Sequence, residues 1–366
     1  MRSLPYNRGM SHLDILIPFG RPPAELAADL VQALKTPALA TLIARAKSHR
    51  EVTFDAFSRA LPHEIWLARQ FGLASRLRSS GSPPVALAAM QTLGVIPDAG
   101  VWFMLQPVHL HVARDHLVLT DQRQLALTDR ESRALFDAAR PLFDEAGTPV
   151  FYGDAGTWFI RADAWDGLRT STPDAACGHN IDIWMPQGPG ERDWRKLQNE
   201  VQMVWHAHTV NTERESDNLK PVNSIWLWGG TPMTMDVAPS RYKQVFNLPG
   251  WMNAFGRYAN RQANGDRKKS AAGTASDVID AAPEHGLTVL DTLIEPALAG
   301  DWSEWLARFH ALESDWFAPL LDALKAGKMD QISLIMTHNT DLSELTSGKQ
   351  SLRKFWVAPS LARLIK

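Results

Sequence analysis

Residues 194 to 232, WRKLQNEVQMVWHAHTVNTERESDNLKPVNSIWLWGGTP, constrain the fold more than any other stretch. They open as a helix, with Leu197, Val201, Val204 and Trp205 on one face and Arg195, Lys196, Glu200 and Gln202 elsewhere. Polar residues then cluster at His206, His208, Asn211, Glu213 and Arg214, and a turn-rich link, Ser216 to Pro221, follows. The run from Val222 to Trp228 is β-branched and aromatic, apolar on both faces after Ser224, and stops at Gly229-Gly230. It reads as a buried strand of the main sheet, sharing that sheet with residues 12 to 18 and 332 to 336. A polar helix end, a strand and then glycines is how an α/β protein presents groups at the carboxyl edge of its sheet. His206 and His208 are two apart and do not share a helix face, so they are not a helical metal pair. Asn211, Arg214 and Asn223 are better candidates, because polar groups beside a buried strand need partners or a ligand.

The rest of the chain reads as α/β. Leu13 to Pro18 is a strand closed by Phe19-Gly20-Arg21-Pro22-Pro23. Helices are expected over Ala24–Leu34, over Pro37–Ala46 with Thr36 as N-cap, and over Pro62–Leu73. Val101 to Leu119 reads as two strands about Ala113-Arg114-Asp115, which puts His109 and His111 together on one strand face. With Asp115 and His116 they could hold a divalent ion, or they form a solvated face. A helix from Thr128 to Glu145 has Thr128 and Glu131 at capping-box spacing. Leu287–Leu293 is a candidate strand, Ser303–Ala326 a long helix, and Ile332–Met336 a final buried strand ending at Thr337-His338. Residues 95–190 read as an α+β unit whose strand-rich pattern differs from the flanking helices.

Composition removes several function classes. A net charge of -2 argues against binding nucleic acid through bulk electrostatics. One cysteine, Cys177, leaves no disulfide framework and no cysteine zinc cage. The N-terminal residues hold no signal-like apolar run and no later segment reaches membrane-spanning length, so a cytoplasmic protein is expected. Fourteen dispersed tryptophans favour core use over a single stacking platform.

His208-Thr-Val-Asn211-Thr-Glu-Arg214, followed by Pro221-Val-Asn223-Ser-Ile-Trp-Leu-Trp228-Gly-Gly230, resembles a block of the archaeal-type cofactor-independent phosphoglycerate mutases. The chain looks closer still to their bacterial relatives, the RpfE-type regulatory proteins, through LPHEIWLARQFGL, RDHLVL, NEVQM and the KFW near the end. Lys35-Thr-Pro37-Ala-Leu39-Ala-Thr-Leu42 is similar to the mutase "K-T-P-N-L-D-x-L". The resemblance implies an alkaline-phosphatase-like core sheet flanked by helices, formed by 1–94 with 191–366, and a smaller inserted α+β domain at 95–190, in agreement with the composition shift near residue 95 and the return near 190. It also implies two divalent metals on Asp and His side chains and a hydroxyl nucleophile. The sequence departs at those positions: Phe19-Gly20 stands for the Asp-Gly closing the first strand, and Thr337-His338 for the Asp-His closing the last. Pro173-Asp174-Ala175 stands for Pro-His-Asp, and no hydroxyl lies near Pro62-His63. Losing two carboxylates removes two negative charges from a site that must balance two dications.

The expected function is therefore a degenerate mutase homologue, regulatory or binding a phosphorylated small molecule, with no metal cofactor and no protein partner specified. Its anion pocket is expected from His208, Asn211, Arg214 and Asn223 with the amides of Gly229 and Gly230. For Arg214 the alternative is an internal ion pair with Glu213 or Glu200. The competing function is an active phosphoglycerate mutase or phosphatase with relocated ligands for Mn or Zn, drawn from His109, His111, Asp115, His116, His206, His208 and His338.

Overall fold

The structure is a computed structural model that describes residues 10–74, 77, 81–234, 240–259 and 273–365. The basic run Arg267-Lys268-Lys269, and most of the polar loop expected around it, lie outside the described residues. The chain forms two compact units. The first takes the described residues of Met1–Asp55, Pro239–Met252 and Ala259–Lys366; the second takes those of Ala56–Ala238 with Asn253–Tyr258. The expected boundaries at 94/95 and 190/191 thus fall inside the second unit.

The first unit holds a six-stranded sheet built from β1 (His12–Ile17), β2 (Ser48–Thr53), β9 (Gln244–Phe246), β10 (Gly286–Val289), β11 (Gln331–Thr337) and β12 (Asp341–Gly348), in the order β2-β12-β11-β1-β10-β9. β1 runs parallel to β10 and β11, whereas β12 is antiparallel to β11 and β2 antiparallel to β12. β1 is central because Leu13, Ile15, Leu16 and Ile17 are all buried, as a strand covered on both faces requires. Its one charge, Asp14, is buried too. It accepts hydrogen bonds from Arg241 Nη2 at 2.5 Å and Tyr242 Oη at 2.6 Å, and lies 3.0 Å from His12 Nε2. The long helix expected over Ser303–Ala326 is present as Trp302–Leu312 and Ala318–Ala326, joined by a π-helical turn at Glu313–Phe317. That turn has a use. Thr36 stands at the N-cap of the helix Pro37–Ala44 but its side chain makes no capping bond; the carboxylate of Glu313 accepts the Ala38 and Leu39 N–H groups instead, at 2.6 and 3.1 Å.

The second unit holds a four-stranded antiparallel sheet of β3 (Val101–Val108), β6 (Val150–Asp154), β7 (Thr157–Arg161) and β8 (Ser224–Pro232), in the order β6-β7-β3-β8. A hairpin of β4 (Leu110–Val112) and β5 (Leu117–Leu119) forms about the expected turn. β8 carries the Ile-Trp-Leu-Trp run, so the expectation that this run shares a sheet with residues 12 to 18 and 332 to 336 is corrected. Those two do pair, as β1 with β11, but β8 pairs with β3 at the margin of the other sheet. The margin is buried by the helix Glu191–His206: Gln198 Nε2 donates to the Ile225 carbonyl at 2.8 Å, and Gln202 Nε2 to Ser224 Oγ at 2.8 Å. An apolar run reports that a strand is covered. It does not report which strands lie beside it.

Trp158, Trp194, Trp205, Phe103, Phe143 and Leu227 fill this unit's core between its sheet and the helices Asp129–Glu145 and Glu191–His206. Two of the indoles are tied by hydrogen bonds, Trp158 to Ser132 Oγ and Trp205 to the Leu135 carbonyl, and most of the tryptophans are core residues as their dispersion suggested, although Trp356 is exposed. Among the described residues no helix is long and apolar enough to cross a membrane.

Candidate functional site

The helix Pro62–Gln70 begins with Pro62 in its first turn, where a missing N–H costs nothing, followed by His63 and Glu64. Both side chains are fully buried. Glu64 reaches back so that its Oε2 accepts the Leu61 N–H at 2.7 Å, and the same oxygen accepts the Thr172 hydroxyl at 2.6 Å. Thr172 in turn caps the short helix Pro173–Ala176 by accepting the Ala175 N–H at 3.3 Å. One hydroxyl therefore links two helix starts and brings Asp174 to His63 and Glu64. Ligand atoms of these three residues lie within 4.8 Å of one another, the one such group of His, Cys, Asp or Glu among the described residues.

Arg123 completes the cluster. Its guanidinium grips Asp174 through two bonds of 3.1 and 2.6 Å and donates to Asp121 Oδ1 at 2.7 Å. Glu64 Oε1 is buried without a hydrogen-bond partner. Burial pushes the Glu64 carboxyl up to about 8, with the nearby Asp174 adding to the shift. Burial also holds His63 down to about 4, so its imidazole is neutral near pH 7, although Asp174 pulls the other way. For Arg123 burial alone would lower the pKa, but Asp174 and Asp121 outweigh it and hold the group above its ordinary value. Cys177, pushed up to about 12 by burial and then by Asp121 and Asp174, is a thiol rather than a nucleophilic thiolate.

The residues expected to form an anion pocket hydrogen-bond within the fold. Arg214 is 1% exposed; it pairs with Glu131 at 3.1 Å and donates to the Lys220 and Leu125 carbonyls at 2.8 and 2.5 Å. Its carboxylate partner is thus Glu131, not Glu213 or Glu200. Asn211 donates to the carbonyls of Trp205 and Val222 and accepts the Val222 N–H. Asn223 brackets Leu110, accepting its N–H at 2.7 Å and donating to its carbonyl at 2.9 Å. His208 Nδ1 caps the helix Thr209–Ser216 by accepting the Val210 N–H. The Gly229 N–H donates to Ser82 Oγ, and a Cβ on Gly230 would sit 2.5 Å from the Phe103 ring. These polar atoms serve backbone groups that burial would otherwise leave orphaned.

The relocated-ligand candidates do not assemble. His109 Nδ1 contacts the Pro221 carbonyl at 2.8 Å, with its ring 6.5 Å from that of His111. His116 pairs with its neighbour Asp115 on the exposed hairpin, and His206 ends the helix Glu191–His206. His338 belongs to the other unit, its ring edge-on to Phe19 at 6.0 Å. The sequence marks Pro62-His63 and Pro173-Asp174 as departures from the mutase pattern, not as ligands, and gives Glu64 only as part of a helix start. The available signal was a His-Glu pair just after proline in a helix otherwise as apolar as Ile65-Trp66-Leu67.

At the carboxyl ends of β1 and β11 the resemblance calls for metal-binding carboxylates, and the residues present do not fit a pair of dications. Phe19 is buried and offers only its backbone: its N–H donates to Thr337 Oγ1 at 3.3 Å, and its carbonyl accepts the Trp305 indole N–H at 2.9 Å. Thr337 is fully buried and its carbonyl accepts the Arg21 N–H.

Comparison with known proteins gives partial likenesses. No family model matches the chain. Over 164 residues it is 29% identical to the probable 2,3-bisphosphoglycerate-independent phosphoglycerate mutase of Geobacter sulfurreducens, covering 43% of this chain and 40% of that protein. Over 80 residues it is 32% identical to the 2,3-bisphosphoglycerate-independent phosphoglycerate mutase of Methanothrix thermoacetophila, covering 21% and 19%. The matches therefore span two fifths or less of either relative. Among solved structures, the cofactor-independent phosphoglycerate mutase of Thermoplasma acidophilum aligns over 98% of this chain and 95% of that one, with a TM-score of 0.47 and 14% identity. A protein of Pyrococcus horikoshii aligns over 93% and 88%, with a TM-score of 0.49 and 13% identity. In sequence, the relatives of this chain are cofactor-independent phosphoglycerate mutases.

Proposed function

We propose that this chain is a divergent, cytoplasmic homologue of the cofactor-independent phosphoglycerate mutases, of the RpfE-type regulatory kind, with an alkaline-phosphatase-like core. In this reading it no longer performs two-metal phosphoryl transfer. One observation carries it: the strand ends that should present two carboxylates present Phe19 and Thr337, buried and hydrogen-bonded to each other. A phenyl ring cannot ligate a metal, and a neutral hydroxyl engaged with a backbone amide is a poor substitute for an anionic oxygen. A phosphorylated ligand, if the protein regulates by binding one, takes a site other than Arg214, whose guanidinium holds Glu131 and two carbonyls.

The competing reading, an active mutase or phosphatase with relocated ligands, is supported by His63, Glu64 and Asp174. Phosphorus NMR of 3-phosphoglycerate incubated with the full chain and Mn²⁺ separates the two. The expected outcome is no 2-phosphoglycerate and no inorganic phosphate. Robust turnover that EDTA abolishes would overturn the non-catalytic reading.

A further inference from the structure

We propose that His63, Glu64 and Asp174 bind one divalent cation in the second unit, with Zn²⁺ the best-matched ion and Mn²⁺ the next. The inference does not rest on the function proposed above, since a cation here can lock two helix starts together with or without turnover.

Three features of the site support it. The first is the donor set. One imidazole nitrogen and two carboxylate oxygens, all within 4.8 Å of one another, suit a borderline dication. Metal–ligand bonds of about 2.0–2.1 Å place tetrahedral ligands about 3.4 Å apart, so side-chain rotations of roughly an ångström close the site and leave a fourth position for water. The second is the orphan atom. Glu64 is fully buried, its Oε2 is held by the Leu61 N–H and the Thr172 hydroxyl, and its Oε1 has no hydrogen-bond partner. A buried carboxyl oxygen without a partner is costly, and a cation supplies what the protein does not.

The third is charge. A cation that ligates Glu64 displaces its proton, and the cluster then holds the carboxylates of Glu64, Asp121 and Asp174 against the single guanidinium of Arg123. Two negative charges remain, which one dication neutralises. Arg123 does not block the ion: its two bonds to Asp174 orient that carboxylate, as hydrogen-bonded partners of metal ligands commonly do.

The test uses the full chain stripped with chelator and titrated with Zn²⁺ and with Mn²⁺ by calorimetry. We expect one Zn²⁺ per chain in the wild type and at least a roughly 100-fold weaker affinity in both Glu64→Gln and His63→Asn. His116→Ala, on the exposed hairpin, should bind as the wild type does. Because either buried variant could fail to fold, Co²⁺ added to the unaltered chain gives a second readout: intense visible bands are expected, and their displacement by Zn²⁺. The proposal is overturned by absence of saturable binding, by binding unchanged in folded Glu64→Gln and His63→Asn, by loss of binding in His116→Ala, or by only weak octahedral Co²⁺ bands. Turnover in the presence of metal would bear on the proposed function and leave this site standing.

Discussion

Arg214 shows how a polar residue beside a strand can be structural. Its guanidinium is fully enclosed and its carboxylate partner Glu131 sits at 3.1 Å. Burial would raise the Glu131 carboxyl, but Thr128 and Arg214 outweigh that and keep it below the ordinary value. Removing one member of such a pair strands the other, so Arg214→Ala should lower stability by about 3–5 kcal/mol in urea unfolding. A fully stable variant would show that Arg214 does not hold the fold. His63 and Glu64 make a second residue-scale claim, for the chelated protein. A carboxyl raised from 4.5 to about 8 favours its protonated form in the fold, so its contribution is fully present below pH 4.5 and is lost as pH rises towards 8. The imidazole held down to about 4 does the reverse, its contribution falling as pH drops from 6.5 to about 4. Glu64→Gln should flatten the alkaline limb of the stability–pH profile and His63→Asn the acid limb. Limbs unchanged in both variants would contradict this assignment.

Among the elements, the legible ones were those whose burial shows in a single period. β1 and β11 are apolar on both faces, and Asp129–Glu145 carries its Thr128–Glu131 capping box as spaced in the sequence. β2 and β12 were not legible. SHREVT is largely exposed, while DLSELTSG buries Ser343, Thr346 and Ser347, so neither shows an apolar run. The sheet membership of β8 was misread because coverage by the helix Glu191–His206 imitates coverage by flanking strands. The site was harder still, since His63 and Asp174 are over a hundred residues apart and are brought together by long-range contacts such as the Thr172–Glu64 hydrogen bond. Nor could the sequence show Glu313 capping the helix Pro37–Ala44, because the π-turn that aims its carboxylate is a tertiary feature. Glu313→Ala should cost about 1–2 kcal/mol through that lost cap, and Thr36→Ala, which caps nothing through its side chain, much less. Equal losses in thermal melts of the two variants would refute the assignment.

At the scale of the whole molecule, our reading places a divalent cation in the second unit and none at the strand ends of the first. Phe19 and Thr337 close the one place, and His63, Glu64 and Asp174 compose the other. The most direct measurement is the number of Mn²⁺ ions retained per chain at equilibrium dialysis, in the wild type and in Glu64→Gln. We predict one ion in the wild type and none in the variant. Two ions per chain, or one that survives Glu64→Gln in a folded protein, would contradict the account.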